Sequence, residues 1–136
     1  MRGIAHLAQG QMEAALEALE RAGEGFGAIG RPLEAAQTRI SRLMALAMLG
    51  RYDDAIACGA EARAVFDDSG DSRAAGKIEL NLGNLAARRD HHDDALTHYG
   101  EALSRFAAAG DIELEVMASK GLAAMPETGE VDAYDD

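Results

Sequence analysis

The sequence predicts an all-α domain, a solenoid of antiparallel helix pairs with about seven helices. Three observations carry that expectation: an alanine-led apolar composition, a near absence of proline, and an internal repeat of 40 residues. Apolar residues make up 48% of the chain but aromatic residues only 4%, so small side chains must fill most of the core. That suits closely packed helices better than a β-sandwich, which draws on Val, Ile, Thr and aromatics. The two prolines, Pro32 and Pro126, leave the intervening stretches free to run as unbroken helices.

The repeat emerges when the chain is slid against itself by 40 residues. Ala15, Ala55 and Ala95 coincide, as do Ala22, Ala62 and Ala102. Phe26, Phe66 and Phe106, the only phenylalanines, form a third column, and Gly30, Gly70 and Gly110 a fourth. Within each copy the Ala, Ala and Phe positions are seven and then four residues apart, which places them on one helical face. The alanines admit a neighbouring helix and the Phe fills the end of the pair. The Gly follows four residues later and ends the helix, since it takes the left-handed conformation at little cost.

Each boundary has its own start signal. Asp71 and Asp111 follow a terminating glycine and are placed to cap the next helix, and Arg31-Pro32 replaces that cap in the first copy. A second break falls in mid-repeat at Gly10, Gly50 and Asp90, followed by acidic residues that suit a helix N-terminus: Glu13, Asp53 with Asp54, and Asp93 with Asp94. The expected helices span 2–9, 11–29, 33–49, 52–69, 72–89, 92–108 and 112–124. They make one repeat domain over 1–125, with units at about 1–30, 31–70 and 71–110 and an extra helix at 111–125. An acidic segment, 126–136, lacks apolar periodicity and is expected to be disordered.

The formal net charge of −11 argues against nucleic acid and anionic membrane surfaces as partners. Cys58 is the only cysteine, which rules out an internal disulfide or a cysteine-based zinc site and fits a cytoplasmic setting. The N-terminal stretch turns acidic too soon for a signal peptide, and no stretch approaches a membrane span.

Residues 80–85, Leu-Asn-Leu-Gly-Asn-Leu, lead on to Asp90, Ala95-Leu96, Tyr99, Ala102-Leu103 and Gly110-Asp111. This run resembles a tetratricopeptide repeat. The 40-residue period is similar to the extended variety found in kinesin light chains, Pins-type polarity adaptors, and bacterial regulators and CHAT-associated proteins. Leu49-Gly50, Tyr52, Ala55-Ile56, Ala62 and Gly70-Asp71 carry the same pattern in the middle copy. The family's small residue on the first helix of each pair is Gly3 and Gly83, whereas Leu43 stands there in the middle copy and is expected to widen that pair slightly.

The resemblance implies a right-handed superhelical solenoid that binds a protein or peptide in its concave face, without catalysis, metal or cofactor. The bacterial relatives suggest a fragment or sensing module of a larger regulator. The matching groove positions on one first-of-pair helix are Lys77, Asn81, Asn84 and Arg88. Their steps of four, three and four form one stripe. An amide can donate and accept at once, which suits a peptide bond, and Lys and Arg attract carboxylates. The preceding equivalent helix offers Gln37, Ile40, Ser41, Met44 and Met48, and the following one Met117, Lys120 and Gly121. The competing reading of the stripe is structural: Asn81 and Asn84 bond neighbouring helices, and Lys77 and Arg88 are merely solvated. Alternative functions are self-association, as a homodimer formed through exposed array ends, with an apolar edge expected at residues 1–9, and a peptide-sensing regulatory domain of a signalling enzyme.

The remaining candidates read as structural. His91, His92, Asp93, Asp94 and His98 invite a metal, but adjacent histidines point apart on a helix, and a solvated helix start accounts for them. Cys58 has no histidine in its own turn and reads as a small buried residue. Tyr52 and Tyr99 read as packing aromatics. No Ser-His-Asp or paired-carboxylate arrangement stands out.

Overall fold

The computed structural model describes residues 2–126, with side chains from residue 8 onward. It is all-helical: α1 (Arg2–Ala28), α2 (Pro32–Met48), α3 (Tyr52–Asp68), α4 (Ser72–Arg88), α5 (His92–Ala109) and α6 (Ile112–Ala124). The chain divides into two compact units, Met1–Gly70 with α1 to α3 and Asp71–Asp136 with α4 to α6. In the first unit α1 packs on α2 and α2 on α3. In the second, α4 packs on α5, α5 on α6, and α4 touches α6. The acidic segment lies, apart from Pro126, outside the described residues, as do the side chains of residues 1–7 in the edge expected at residues 1–9.

The turns fall where the spacing puts them. Gly30, Gly50, Gly70 and Gly110 have φ between +71° and +78°, and Asp90 takes the same role at φ +58°. Asp is one of the few residues with a side chain that tolerates this region. At four of these turns an amide reaches back across the last helical turn: Arg31 N–H to Phe26 O at 2.8 Å, Arg51 to Leu46 at 2.9 Å, His91 to Ala86 at 2.9 Å and Asp111 to Phe106 at 3.0 Å. These bonds satisfy carbonyls that the helix end would otherwise leave open. Asp71 caps α4 by accepting from Ala74 N–H at 3.0 Å, and Asp111 caps α6 by accepting from Leu114 N–H at 3.1 Å. Pro32 opens α2 in place of a side-chain cap.

One expected break does not form. Helices 2–9 and 11–29 are a single helix, α1, so there are six helices and not seven among the described residues. Gly10 lies in its interior. A glycine inside a helix costs only about 1 kcal/mol relative to Ala. A turn would give up helical hydrogen bonds, and that loss is repaid only if both arms bury against each other. At Gly50 and Asp90 both arms are 17 or 18 residues long. The short stretch before Gly10 offers too little surface.

The repeat columns form the cores. Ala55, Ala62 and Phe66 are buried in the first unit, and Ala95, Ala102 and Phe106 in the second. Leu80, Ala86, Tyr99 and Ala118 join the second core. Approach between helices is close enough that added atoms collide. A methyl built on Gly76 would lie 2.6 Å from Phe106 Cε1, and one on Gly83 2.7 Å from Tyr99 Cδ1.

The first unit carries the same two positions with the sizes reversed. By the 40-residue register, Leu43 takes the place of Gly83 and Gly59 the place of Tyr99. Both are buried. The register therefore pairs a large residue with a small one in each unit, with the large one on opposite helices. The register predicts that Gly59 provides the space Leu43 needs. Exchanging the pair tests this. Leu43→Gly and Gly59→Tyr should each destabilise by about 2–4 kcal/mol, through a cavity and a clash respectively. The double variant should recover at least about 1 kcal/mol of the summed loss in denaturant unfolding. Simple additivity would show that the two residues do not share one space.

Candidate functional site

The stripe on α4 is assembled by the helix itself. Ala75, Gly76, Ile78, Leu80, Leu82, Gly83 and Leu85 are buried, which turns the remaining face outward. Lys77 and Asn84 are exposed, and Asn81 is half-buried. Arg88 closes the stripe at the last turn of the helix. Within the second unit Met117 on α6 is also exposed, at 52%. Two contacts set α6 against α4. Arg73 Nε donates to Asp111 Oδ2 at 2.7 Å, linking the two helix starts. The Asp111 carboxyl is held below its usual range, first by the Leu114 amide and then by Arg73.

The second contact is the Tyr99 ring. It stands between Gly83 of α4 and Gly121 of α6, where a methyl on Gly121 would lie 2.7 Å from Tyr99 Cε1. Its hydroxyl donates to Asn84 Oδ1 at 2.6 Å. Asn84 thus bonds a neighbouring helix, as the structural reading of the stripe requires, and is exposed, as the binding reading requires. With its oxygen engaged, the amide nitrogen presents two donors. The polar role of Tyr99 is not visible in its repeat slot, which marks only a packing aromatic. The signal lies in the paired glycines, because Gly83 and Gly121 leave a ring-sized gap on two helices. Burial raises the Tyr99 hydroxyl above its ordinary pKa, partly offset by Arg88.

The first unit places the other candidates on α2. Gln37, Ser41, Met44 and Ile40 lie along it, with Met44 44% exposed and Ile40 half-buried. Met48 and Leu49 join Ala8, Gln9, Gln11, Met12 and Ala15 of α1 around an open pocket of about 630 Å³. Lys120, one turn on from Met117 along α6, lines a shallow hollow with Leu103, Ile112, Glu115, Val116 and Ser119.

His98 does not join Asp94. Its Nδ1 lies 2.7 Å from Glu79 Oε2, and Glu79 is fully buried. A carboxylate inside a helix pair needs such a partner. Asp94 instead approaches His91, at 4.0 Å. Among the described residues no three His, Cys, Asp or Glu side chains gather as metal ligands. Cys58 is buried and donates to Arg39 O at 3.3 Å; burial pushes its thiol pKa up, away from the reactive range. Among the described residues no helix is long and apolar enough to cross a membrane.

A family model described as tetratricopeptide repeat matches residues 29–108. No curated protein and no solved structure matches the chain.

The Tyr99 hydroxyl gives a pH signature. With its folded pKa raised, the phenol stays protonated above pH 10, whereas the unfolded chain ionises near its ordinary value of 10.0. The neutral group therefore stabilises fully below pH 10, and that stability is lost as pH rises through the folded value. A tyrosinate absorbance titration should show one step above the ordinary range, absent in Tyr99→Phe. Loss of the bond to Asn84 should also cost Tyr99→Phe about 0.5–1.5 kcal/mol in unfolding at neutral pH.

Proposed function

Because this chain belongs to the tetratricopeptide repeat family, whose repeats mediate protein–protein interaction, we propose that it is a non-catalytic adaptor that binds an acidic peptide along α4. The observation that carries this reading is the stripe Lys77, Asn81, Asn84 and Arg88, with Asn84 held by Tyr99. The chain as a whole carries a charge of −11. A local cationic stripe on such a background draws carboxylates to one place and repels them elsewhere. Asn84 supplies donors for a peptide carbonyl, and its rotamer is set before binding, which lowers the entropy lost on association.

Met117 lies on α6, the helix braced against α4, and offers an adaptable apolar contact. The methionine-bearing face of α2, with Gln37, Ile40, Ser41, Met44 and Met48, is a second surface suited to apolar side chains of a ligand. A regulatory role in a larger bacterial signalling protein, acting in the cytoplasm, is the setting this reading favours.

An array of acidic peptides, followed by fluorescence anisotropy on those retained, tests the proposal. Asn84→Ala combined with Arg88→Ala should weaken binding at least about tenfold, since each lost bond to a charged or peptide group is worth about 1.5–3 kcal/mol at the upper end. Affinity should also fall as salt rises. Equal affinity in the double variant, or an array that retains only basic peptides, would exclude the α4 stripe.

A further inference from the structure

The chain beyond Pro126 lies outside the described residues, but its starting point is fixed by the helices before it. Arg73 at the start of α4 meets Asp111 at the start of α6. Ten residues further along each helix, Gly83 and Gly121 face the same Cδ1 and Cε1 atoms of Tyr99. Two shared anchors at equal spacing mean that α4 and α6 run side by side in the same direction. Five residues beyond the second anchor stand Arg88 on α4 and Pro126 after α6. The chain therefore leaves α6 level with Arg88. Met125 packs on the core of this unit and takes an extended conformation, which holds the exit there.

Charge and spacing match what leaves to what it leaves beside. Arg88 is exposed and makes no hydrogen bond or ion pair among the described residues. Lys77 is exposed at the other end of the stripe, near Asp111. The stretch after Pro126 carries Glu127, Glu130, Asp132, Asp135 and Asp136 and no Lys or Arg. Glu127-Thr128-Gly129 separates the exit from Glu130, and Gly129 suits a reversal of direction. In an extended chain alternate side chains share a side, which puts Glu130, Asp132 and Asp136 together. Glu130 to Asp132 then spans about 7 Å, and Arg88 to Asn84 rises about 6 Å along α4. Glu130 to Asp136 spans about 20 Å and Arg88 to Lys77 about 16 Å, a difference that the flexible Lys stem takes up.

We infer that residues 130–136 fold back along α4 and rest on its stripe, with Glu130 against Arg88, Asp132 against Asn84 and Asp136 against Lys77, so that the chain partly occupies its own peptide site. The inference rests on the reading of that stripe as a surface for acidic peptides. Asn84 has its oxygen engaged by Tyr99, which leaves amide hydrogens as its free donors, and a carboxylate is a pure acceptor. The rest of the surface repels the segment, since the chain as a whole carries a charge of −11. A short tether holds the segment at an effective concentration of about a millimolar. Its exposed ion pairs are individually weak. An incoming acidic peptide therefore displaces the segment, and the contact sets a threshold for binding and not a permanent block.

Side-chain NMR and peptide affinity, both on the full chain, test this inference. Glu130→Ala combined with Asp132→Ala should move the Asn84 amide and Arg88 Nε resonances, by the same amount at every protein concentration. Asp135→Ala removes a charge from the other side of the segment and should leave them in place. A synthetic peptide of residues 127–136 should bind the double variant at least about threefold more tightly than the wild type, because the tethered competitor is gone. Unmoved resonances overturn the inference, as does equal affinity of that peptide for the two chains. Shifts that grow with protein concentration overturn it too, since they place the contact between copies. An equal response to Asp135→Ala does the same, by showing a general effect of charge. Failure of the adaptor reading looks different: an array that retains no acidic peptide of other sequence, while the Asn84 and Arg88 resonances still move, removes foreign peptides as ligands and leaves this inference standing.

Discussion

The distance at which one helix of a pair approaches the next governs the rest of this molecule. Alanines at the core columns and glycines at 76 and 83 bring α4 against α5 until an added methyl would collide with Phe106 or Tyr99. Such proximity multiplies dispersion contacts with few aromatic residues available to fill space. It also imposes reciprocity, because a bulky residue on one helix demands a small one opposite. Gly83 with Tyr99 meets that demand, and by register Leu43 with Gly59 is its counterpart. The short turns follow from it as well. A left-handed glycine or aspartate returns the chain at once, so the next helix lies beside the last.

The same constraint builds the candidate site. Tyr99 fits because Gly83 and Gly121 both withdraw from it, and its buried hydroxyl then reaches Asn84, which is exposed. A packing residue and a presenting residue are thereby one assembly. Arg73 and Asp111 tie the starts of α4 and α6 together, so the stripe and Met117 belong to a braced surface. Family membership makes protein interaction the expected activity, and the stripe is the local feature that gives it a chemical character.

Much of this is legible in the residues. Gly30, Gly50, Asp90 and Gly110 mark turns because a left-handed residue leaves a compositional trace, and Asp71 and Asp111 mark caps because a cap bonds three residues ahead. The stripe is legible because helical spacing alone assigns a face. Contacts between helices are not. The bond from Tyr99 to Asn84 spans 15 residues, and that between His98 and Glu79 spans 19. Glu79 looks like any solvated helix residue until α5 is laid over it.

Gly10 shows the boundary between the two kinds of knowledge. Its column, shared with Gly50 and Asp90, is real, and local preference permits a turn there. Whether a turn forms depends on the surface its two arms bury together, a quantity summed over a pair of helices. Local spacing and backbone preference suffice for the repeat, its turns, its caps and the outward face of each helix, so all of these can be read from the order of the residues. Other outcomes wait on the packed chain: α1 is continuous, Asn84 is held by Tyr99, and equivalent alanines are buried in two copies and open in the first. Each depends on which helix covers which, and coverage is set by residues far apart in the chain.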